Sequence, residues 1–264
     1  MTTETLTLRR DYLGAHRRLA VGRSLVAAAV GLLPIPFVDD WLLEATLGGA
    51  YKRVATDYHI DLDEVALKNL VHGKTKPKAW YEMTGAALAG RLATKTWRRM
   101  LIALTAVRRA QVATGTFATI TLFDHYCARM HTGLGLDGAR ALEVRELIRR
   151  ALAETPGGLS FEPFRRGALS AARAAARAPL LLADKASGGR LRKLLDRGKD
   201  VAEAEAVDEV DAIVEHELAE TEGPLSRAVA AIELQLTAEV NPYIDEAIER
   251  FEALWRASRG ADKS

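Results

Sequence analysis

Only one cysteine, Cys127, stands among 264 residues. That excludes an internal disulfide and fits a reducing compartment. Aromatic residues are also scarce, at 6%, while Ala, Leu, Arg and Glu abound, a mix that favours helix over strand. Net charge is nearly missing, with 37 Lys and Arg against 35 Asp and Glu. Nucleic-acid binding therefore has no global electrostatic case. No Gly-rich phosphate loop ending in Lys-Ser or Lys-Thr is present, and no strand pair is evident. The longest uncharged stretch, Ser24 to Val38, has 15 residues. An ordinary membrane-spanning helix needs roughly 20. The opening Met1-Thr2-Thr3-Glu4-Thr5-Leu6 lacks the basic-then-apolar layout of a secretory signal. The chain is expected to be cytoplasmic, with a shallow hairpin or an interfacial helix left open.

What is present is helical punctuation. Leu8, Tyr12, Ala15, Leu19, Gly22 and Val26 alternate spacings of three and four and predict one face of a helix over 6–33. Arg9, Arg10, Arg17, Arg18 and Arg23 fall around its other side. Pro34 and Pro36 end it, since each lacks an N–H and Pro36 drives Ile35 out of the helical region. Asp39 or Asp40 then caps a helix from Trp41 to about Tyr58. Asp61 and Glu64 have capping-box spacing and open a short helix through Val71. Gly73 to Lys78 reads as a basic loop. Trp80, Met83, Ala87, Gly90, Thr94, Trp97, Leu101 and Leu104 make a long packing seam. A second uncharged run, Ala110 to Phe123, ends at Asp124. It parallels the first, since each follows a double arginine and each exits at an aspartate. Two buried helices of one core give the same pattern.

Gly133 to Gly138 reads as a loop, and Asp137 caps a helix through Ala153. Thr155-Pro156-Gly157-Gly158 is the expected boundary between a region 1–155 and a region 160–264, although the two can share a core. Residues 163–199 are Ala-rich and basic, whereas 201–222 carry nine acids and no Lys or Arg. Opposite charges on neighbouring helical stretches suggest a paired hairpin. Pro224 opens a helix with Leu225, Val229, Ile232 and Leu236 on one face. Asn241 caps the last helix, with Pro242 at its first position. Ile244, Ile248, Phe251 and Trp255 form the apolar stripe of that helix.

Chemistry-bearing clusters are few. Asp124, Cys127 and His131 recur at helical spacing, with His125 aimed elsewhere. Joined by Asp39 or Asp40, they would form a polar cluster of Asp39, Asp40, Asp124 and His131 suited to acid–base work. The spacing matches no established zinc pattern. A capping aspartate, a buried thiol and a surface histidine explain the same residues. His216-Glu217 lacks the second histidine of a metalloprotease helix. Residues 73–109 hold nine basic residues against Glu82 alone. Within that stretch, Lys74, Lys76, Lys78, Arg98 and Arg99 suit an anionic surface, or simply a solvated helix face.

The string from Ala27 to Asp39 (Ala-Ala-Ala-Val-Gly-Leu-Leu-Pro-Ile-Pro-Phe-Val-Asp) resembles a motif of a bacterial helical domain. That domain lies C-terminal to some Era-like GTPases, occurs in YcjF-type inner-membrane proteins and is distantly similar to the EcsC family. The pattern is a small-residue apolar helix, Pro-aliphatic-Pro, a small residue, then Asp. Val54 to Tyr58, Asp61 to Glu64 and the run Ala113 to Tyr126 extend the likeness over about 20–130. Phe37 stands where the family has a small residue, Asp39-Asp40 and Glu44 interrupt the runs, and no GTPase domain is attached. The resemblance implies a membrane-associated helical hairpin working with a GTPase or a transport system.

The expectation is an all-α multi-helix bundle with two apolar central segments and a charged C-terminal hairpin. Its leading role is non-enzymatic attachment to the inner face of the cytoplasmic membrane, or to a membrane-linked partner such as a GTPase or transporter. Leu32, Leu33, Pro34, Ile35, Pro36, Phe37 and Trp41 would make that contact, and the basic set would meet anionic lipid. A soluble helical adaptor is the alternative, and a helical enzyme with an Asp/His site the third reading. No metal, cofactor or nucleic-acid partner is expected.

Overall fold

The computed structural model describes residues 11–30, 44–73, 95–157, 224–238 and 242–261, with positions 164, 212, 215, 216 and 219 besides. Over 95–109 it describes the backbone alone. The Pro-x-Pro turn, Trp41, Asp39, Asp40, the lysines of the basic loop, the seam from Trp80 to Thr94, Asn241 and nearly all of the charged hairpin lie outside these residues.

The chain is all-α, as its composition implies. A 3-10 turn, Asp11–Gly14, leads into α1, Arg17–Val30. The continuous helix expected from residue 6 is thus broken before Arg17. Gly14 is a poor helix former, and side-chain bonds from Tyr12 and His16 to a distant helix hold the turn in place. The buried side of α1 also differs from the expected stripe. Ala20, Val21, Ser24, Leu25 and Ala28 are buried, whereas Ala15 is exposed. Arg23, expected among the solvated arginines, is 1% exposed. The reason is enclosure. Two helices, one from each half of the chain, pack on α1 and cover more than one side.

A π-helical turn, Glu44–Gly48, precedes α2, Gly49–Asp57. One helix over this stretch was expected. The adjacent Gly48 and Gly49 weaken regular helix locally, and the wider turn sits there. His59, with φ at +57°, turns the chain after α2. Two residues, Asp61–Leu62, then form β1 and pair in parallel with β2, Gly135–Leu136. The sequence reading placed no strand here, because two residues are too few to show an alternation.

The helix α3, Glu64–Val71, is capped by Asp63, whose carboxylate accepts the Ala66 N–H at 2.6 Å. The expected capping box on Asp61 is therefore displaced by two residues. The Asp61 N–H instead donates to the Leu134 carbonyl at 2.7 Å, which extends the short ladder. Gly73, at φ +69°, ends the element just past α3, in the left-handed conformation that glycine allows.

The long helix α4, Lys95–Arg129, runs 35 residues, about 50 Å. Every residue from Ile120 to Cys127 is buried. A helix enclosed all round is the central element of its fold. Asp137 caps α5, Gly138–Glu154, by accepting the Arg140 N–H at 2.8 Å. Here the sequence reading and the structure agree. Finally α6, Pro224–Ala238, and α7, Pro242–Ala261, each begin at a proline, where its missing N–H has no partner to lose.

Two buried clusters surround α4. The first joins α2, α3, α5, α7 and the C-terminal half of α4 through residues such as Tyr51, Leu70, Phe123, Tyr126, Ile148 and Phe251. The second joins α1, α6 and the preceding part of α4 through Val21, Leu25, Phe117, Ile120, Val229 and Ile232. Most described residues of both apolar segments thus lie in the core, with Gln111 and Val112 exposed. Residues from both sides of Thr155-Pro156-Gly157 contribute to both clusters. No helix among the described residues is long and apolar enough to cross a membrane.

Candidate functional site

Tyr12 and His16 lie four residues apart at the start of α1, and they meet the adjacent pair Asp124-His125 on α4. The His16 Nδ1 lies 3.0 Å from Asp124 Oδ1, and its Nε2 lies 3.1 Å from Asp57 Oδ2 at the end of α2. One imidazole therefore ties three helices. The neighbouring Tyr12 hydroxyl bonds His125 Nδ1, and His125 Nε2 lies 3.3 Å from Glu252 on α7. Arg129 stacks over the Tyr12 ring at 4.7 Å.

Burial sets the character of this constellation. Asp124 and His125 are each 2% exposed, and His16 is 8% exposed. A carboxylate so buried needs a cation or strong donors. His16 supplies them, and the Tyr58 hydroxyl also bonds Asp124. The hydrogen bond to Asp124 is the largest influence on His16 and raises its pKa above the ordinary 6.5. Burial pulls it the other way, while the charge of Asp124 and the bond and charge of Asp57 add to the rise. Burial first, then the charge of Asp124, pushes the Tyr58 hydroxyl up. Burial likewise raises the Cys127 thiol, which makes it a poor nucleophile.

Carboxylates on both ring nitrogens favour the imidazolium form of His16, in which neither nitrogen offers a lone pair to an incoming proton. That suits a structural clamp and not a general base. Beside it opens a cleft of about 310 Å³, lined by His16, Arg18, Leu19, Arg53, Asp57 and Glu215. Cations and carboxylates alternate around it. Arg53 lies 3.5 Å from Asp57, and Arg18 lies 3.7 Å from Glu233 on α6. Buried Arg23 pairs with Glu215 just behind this wall.

Of the residues singled out from sequence, Asp124 and His131 are described, and each has a different partner. Asp124 is bonded by His16, whereas His131 Nδ1 lies 3.0 Å from the Tyr126 hydroxyl. Burial lowers the His131 pKa. Nor is Asp124 a cap at a helix exit, because α4 continues to Arg129. His125, read as pointing elsewhere, does so, toward Tyr12 and α7. Among the described residues, no group of three or more His, Cys, Asp or Glu side chains could hold a metal ion. Arg98 and Arg99 lie on α4, but only their backbone is described. Sequence reading missed His16 and Asp57 altogether. The available signal was the repeat of Tyr12-x-x-x-His16 against Asp124-His125, which only a known helix pairing would bring together.

Comparison with protein-family models, with curated proteins and with solved structures finds no match.

Proposed function

We propose that this chain is a non-catalytic helical binding protein, an adaptor whose apolar runs form its own core. The observation that carries this reading is the burial of the second run. Ala113, Phe117, Ala118, Ile120, Leu122 and Phe123 are all 5% exposed or less. Those side chains are spent on packing. The first run is spent likewise from Ser24 to Ala28, where Ser24, Leu25 and Ala28 are buried. The residues left to meet a partner are those of 31–43, with Leu32, Leu33, Pro34, Ile35, Pro36, Phe37 and Trp41. The elements flanking that stretch, α1 and the π-helical turn, touch each other. The resemblance in the same residues supplies the class of partner, a GTPase or transport component at the cytoplasmic membrane.

Peripheral attachment to anionic lipid at the inner face of that membrane is the second reading. It uses the same stretch and adds Lys74, Lys76, Lys78, Arg98 and Arg99, each worth roughly 1 kcal/mol near such a surface. The test is sedimentation of the whole protein with vesicles. One set is pure phosphatidylcholine and the other contains phosphatidylglycerol, each at low and high salt. The adaptor reading expects monodisperse, detergent-independent protein that stays in the supernatant throughout. Pelleting with anionic vesicles alone, reversed by salt, would transfer the assignment to the lipid surface. Pelleting with neutral vesicles at high salt would overturn both readings in favour of apolar insertion.

A further inference from the structure

The ring of His16 links the start of α1 to both α2 and α4. We propose that it is a proton-controlled clamp whose discharge releases α1 from α2 and opens the cleft between them. An imidazolium has two N–H donors, and both carboxylate contacts, at 3.0 and 3.1 Å, use one each. A neutral imidazole has one N–H and one lone pair. A lone pair facing a carboxylate oxygen is repulsive, so one contact must open on deprotonation.

Which contact opens follows from burial. The Asp124 side chain is 3% exposed, whereas that of Asp57 is 41% exposed. Asp57 also keeps Arg53 at 3.5 Å and has water beside it. The remaining proton therefore stays on Nδ1, against Asp124, where its loss would strand a buried charge. The Nε2–Asp57 contact is the one that parts. His16 and Asp57 both line the cleft, so their separation widens it. Direct packing between α1 and α2 is slight beside that between α1 and α4.

The charged surroundings are consistent with this order. On its own side, Tyr12 bonds His125 and Arg18 reaches Glu233. From α2 come Asp57, Arg53 and the adjacent Tyr58 ring, 5.6 Å from the imidazole. From α4 come Asp124, Cys127, His125 and Arg129, the last stacked on Tyr12. Glu252 of α7 meets His125, and Glu215 closes the cleft opposite. The two carboxylates in direct contact with the ring favour its charged form. The folded-state pKa lies above 6.5. The clamp's stabilisation is therefore complete below about 6.5, and it is lost as pH rises through the folded value.

The experiment combines nitrogen-resolved NMR of the His16 ring with amide hydrogen exchange across the start of α1, on the whole protein. Exchange is measured between about pH 6 and pH 9 and corrected for its intrinsic pH dependence. Expected is an imidazolium persisting past the ordinary histidine range, then a neutral ring protonated at Nδ1. Protection of amides near Leu19 should fall in step, by about tenfold for each unit by which the folded pKa exceeds the unfolded one. His16→Gln should abolish the pH response. If that variant fails to fold, Asp57→Asn, on the exposed partner, should shift the midpoint downward while leaving the protein folded. Protection that stays flat as the ring loses its proton would overturn the clamp. So would a response that survives in His16→Gln, or a neutral ring protonated at Nε2.

Discussion

The described core has two ends along the central helix, and they differ in composition. Around the C-terminal half of that helix the core is built from large side chains. Tyr51 meets Phe123 with ring centroids 4.6 Å apart, and Tyr126 meets Trp255 at 5.2 Å. Arg259 stacks on the same Trp255 at 4.4 Å. The helices there carry aspartate caps, Asp63 on α3 and Asp137 on α5. Around the preceding part of α4 the core mixes small side chains with rings such as Phe117 and Phe164, whose centroids lie 5.2 Å apart. Five of its thirteen buried apolar residues are alanine (Ala20, Ala28, Ala50, Ala113 and Ala118), against five of twenty-one in the other cluster. Buried Ser24 and Thr114 lie on its helices, with the Ser24 hydroxyl donating to the Ala20 carbonyl one turn back. Arg23 is buried there as well. The second end is thus the richer in alanine.

The sharpest way to break this contrast is a charge at the small-residue end. Ile120 is 0% exposed. Ile120→Asp buries a carboxylate beside apolar neighbours, at a cost of several kcal/mol that rivals the roughly 5–15 kcal/mol holding a domain together. The expected result is loss of the cooperative thermal transition. A folded variant would mean that Ile120 faces outward, and the adaptor reading would lose its premise.

Both ends should resist a change of size, one a loss of volume and the other a gain. Phe123→Ala removes a fully buried ring and should cost about 3–5 kcal/mol by urea denaturation. At the other end Ala118, also 0% exposed, has no volume to lose. There Ala118→Leu should cost about 1–3 kcal/mol by overpacking. If Ala118→Leu were neutral or stabilising, the small-residue end would hold a cavity.

Legibility divides along the same line. At the large-residue end, the Asp137 cap and the stripe Ile248 and Phe251 were readable, because capping and three-four spacing are local signals. The cap on α3 was placed two residues early, since Asp61 and Asp63 both offer a carboxylate and the β1–β2 ladder that claims Asp61 is a long-range contact. At the small-residue end, alanine gives a helix but no direction, so the buried face of α1 was misjudged and Arg23 was counted as solvated. Small residues on apolar helices also serve close helix packing in membranes. That ambiguity is why the same residues resemble an inner-membrane hairpin. His16 was illegible for a different reason. Its partners lie 41 and 108 residues away, and no spacing rule connects them.

The caps offer a smaller probe of the large-residue end. Asp63→Ala and Asp137→Ala each remove one acceptor for an otherwise unbonded first-turn N–H. Each should cost about 1 kcal/mol, seen as a lower thermal midpoint. Far apart in sequence but adjacent through α3–α5 packing, the two should add only if each acts on its own helix. A double variant well short of the sum would show that α3 and α5 share one cooperative start.

The smallest effect is expected two residues from a buried one. In β2, Leu136 is 2% exposed, whereas Leu134, two positions earlier and just outside the strand, is 84% exposed. What the fold takes from Leu134 is its carbonyl, which accepts the Asp61 N–H. Leu134→Ser keeps that carbonyl and removes only solvated carbon. Stability should change by no more than about 0.5 kcal/mol. Leu136→Ser, by contrast, should cost as much as other core truncations. Comparable losses at both positions would place Leu134 under cover in solution. The cover would have to be another molecule, since nothing described in this chain encloses it.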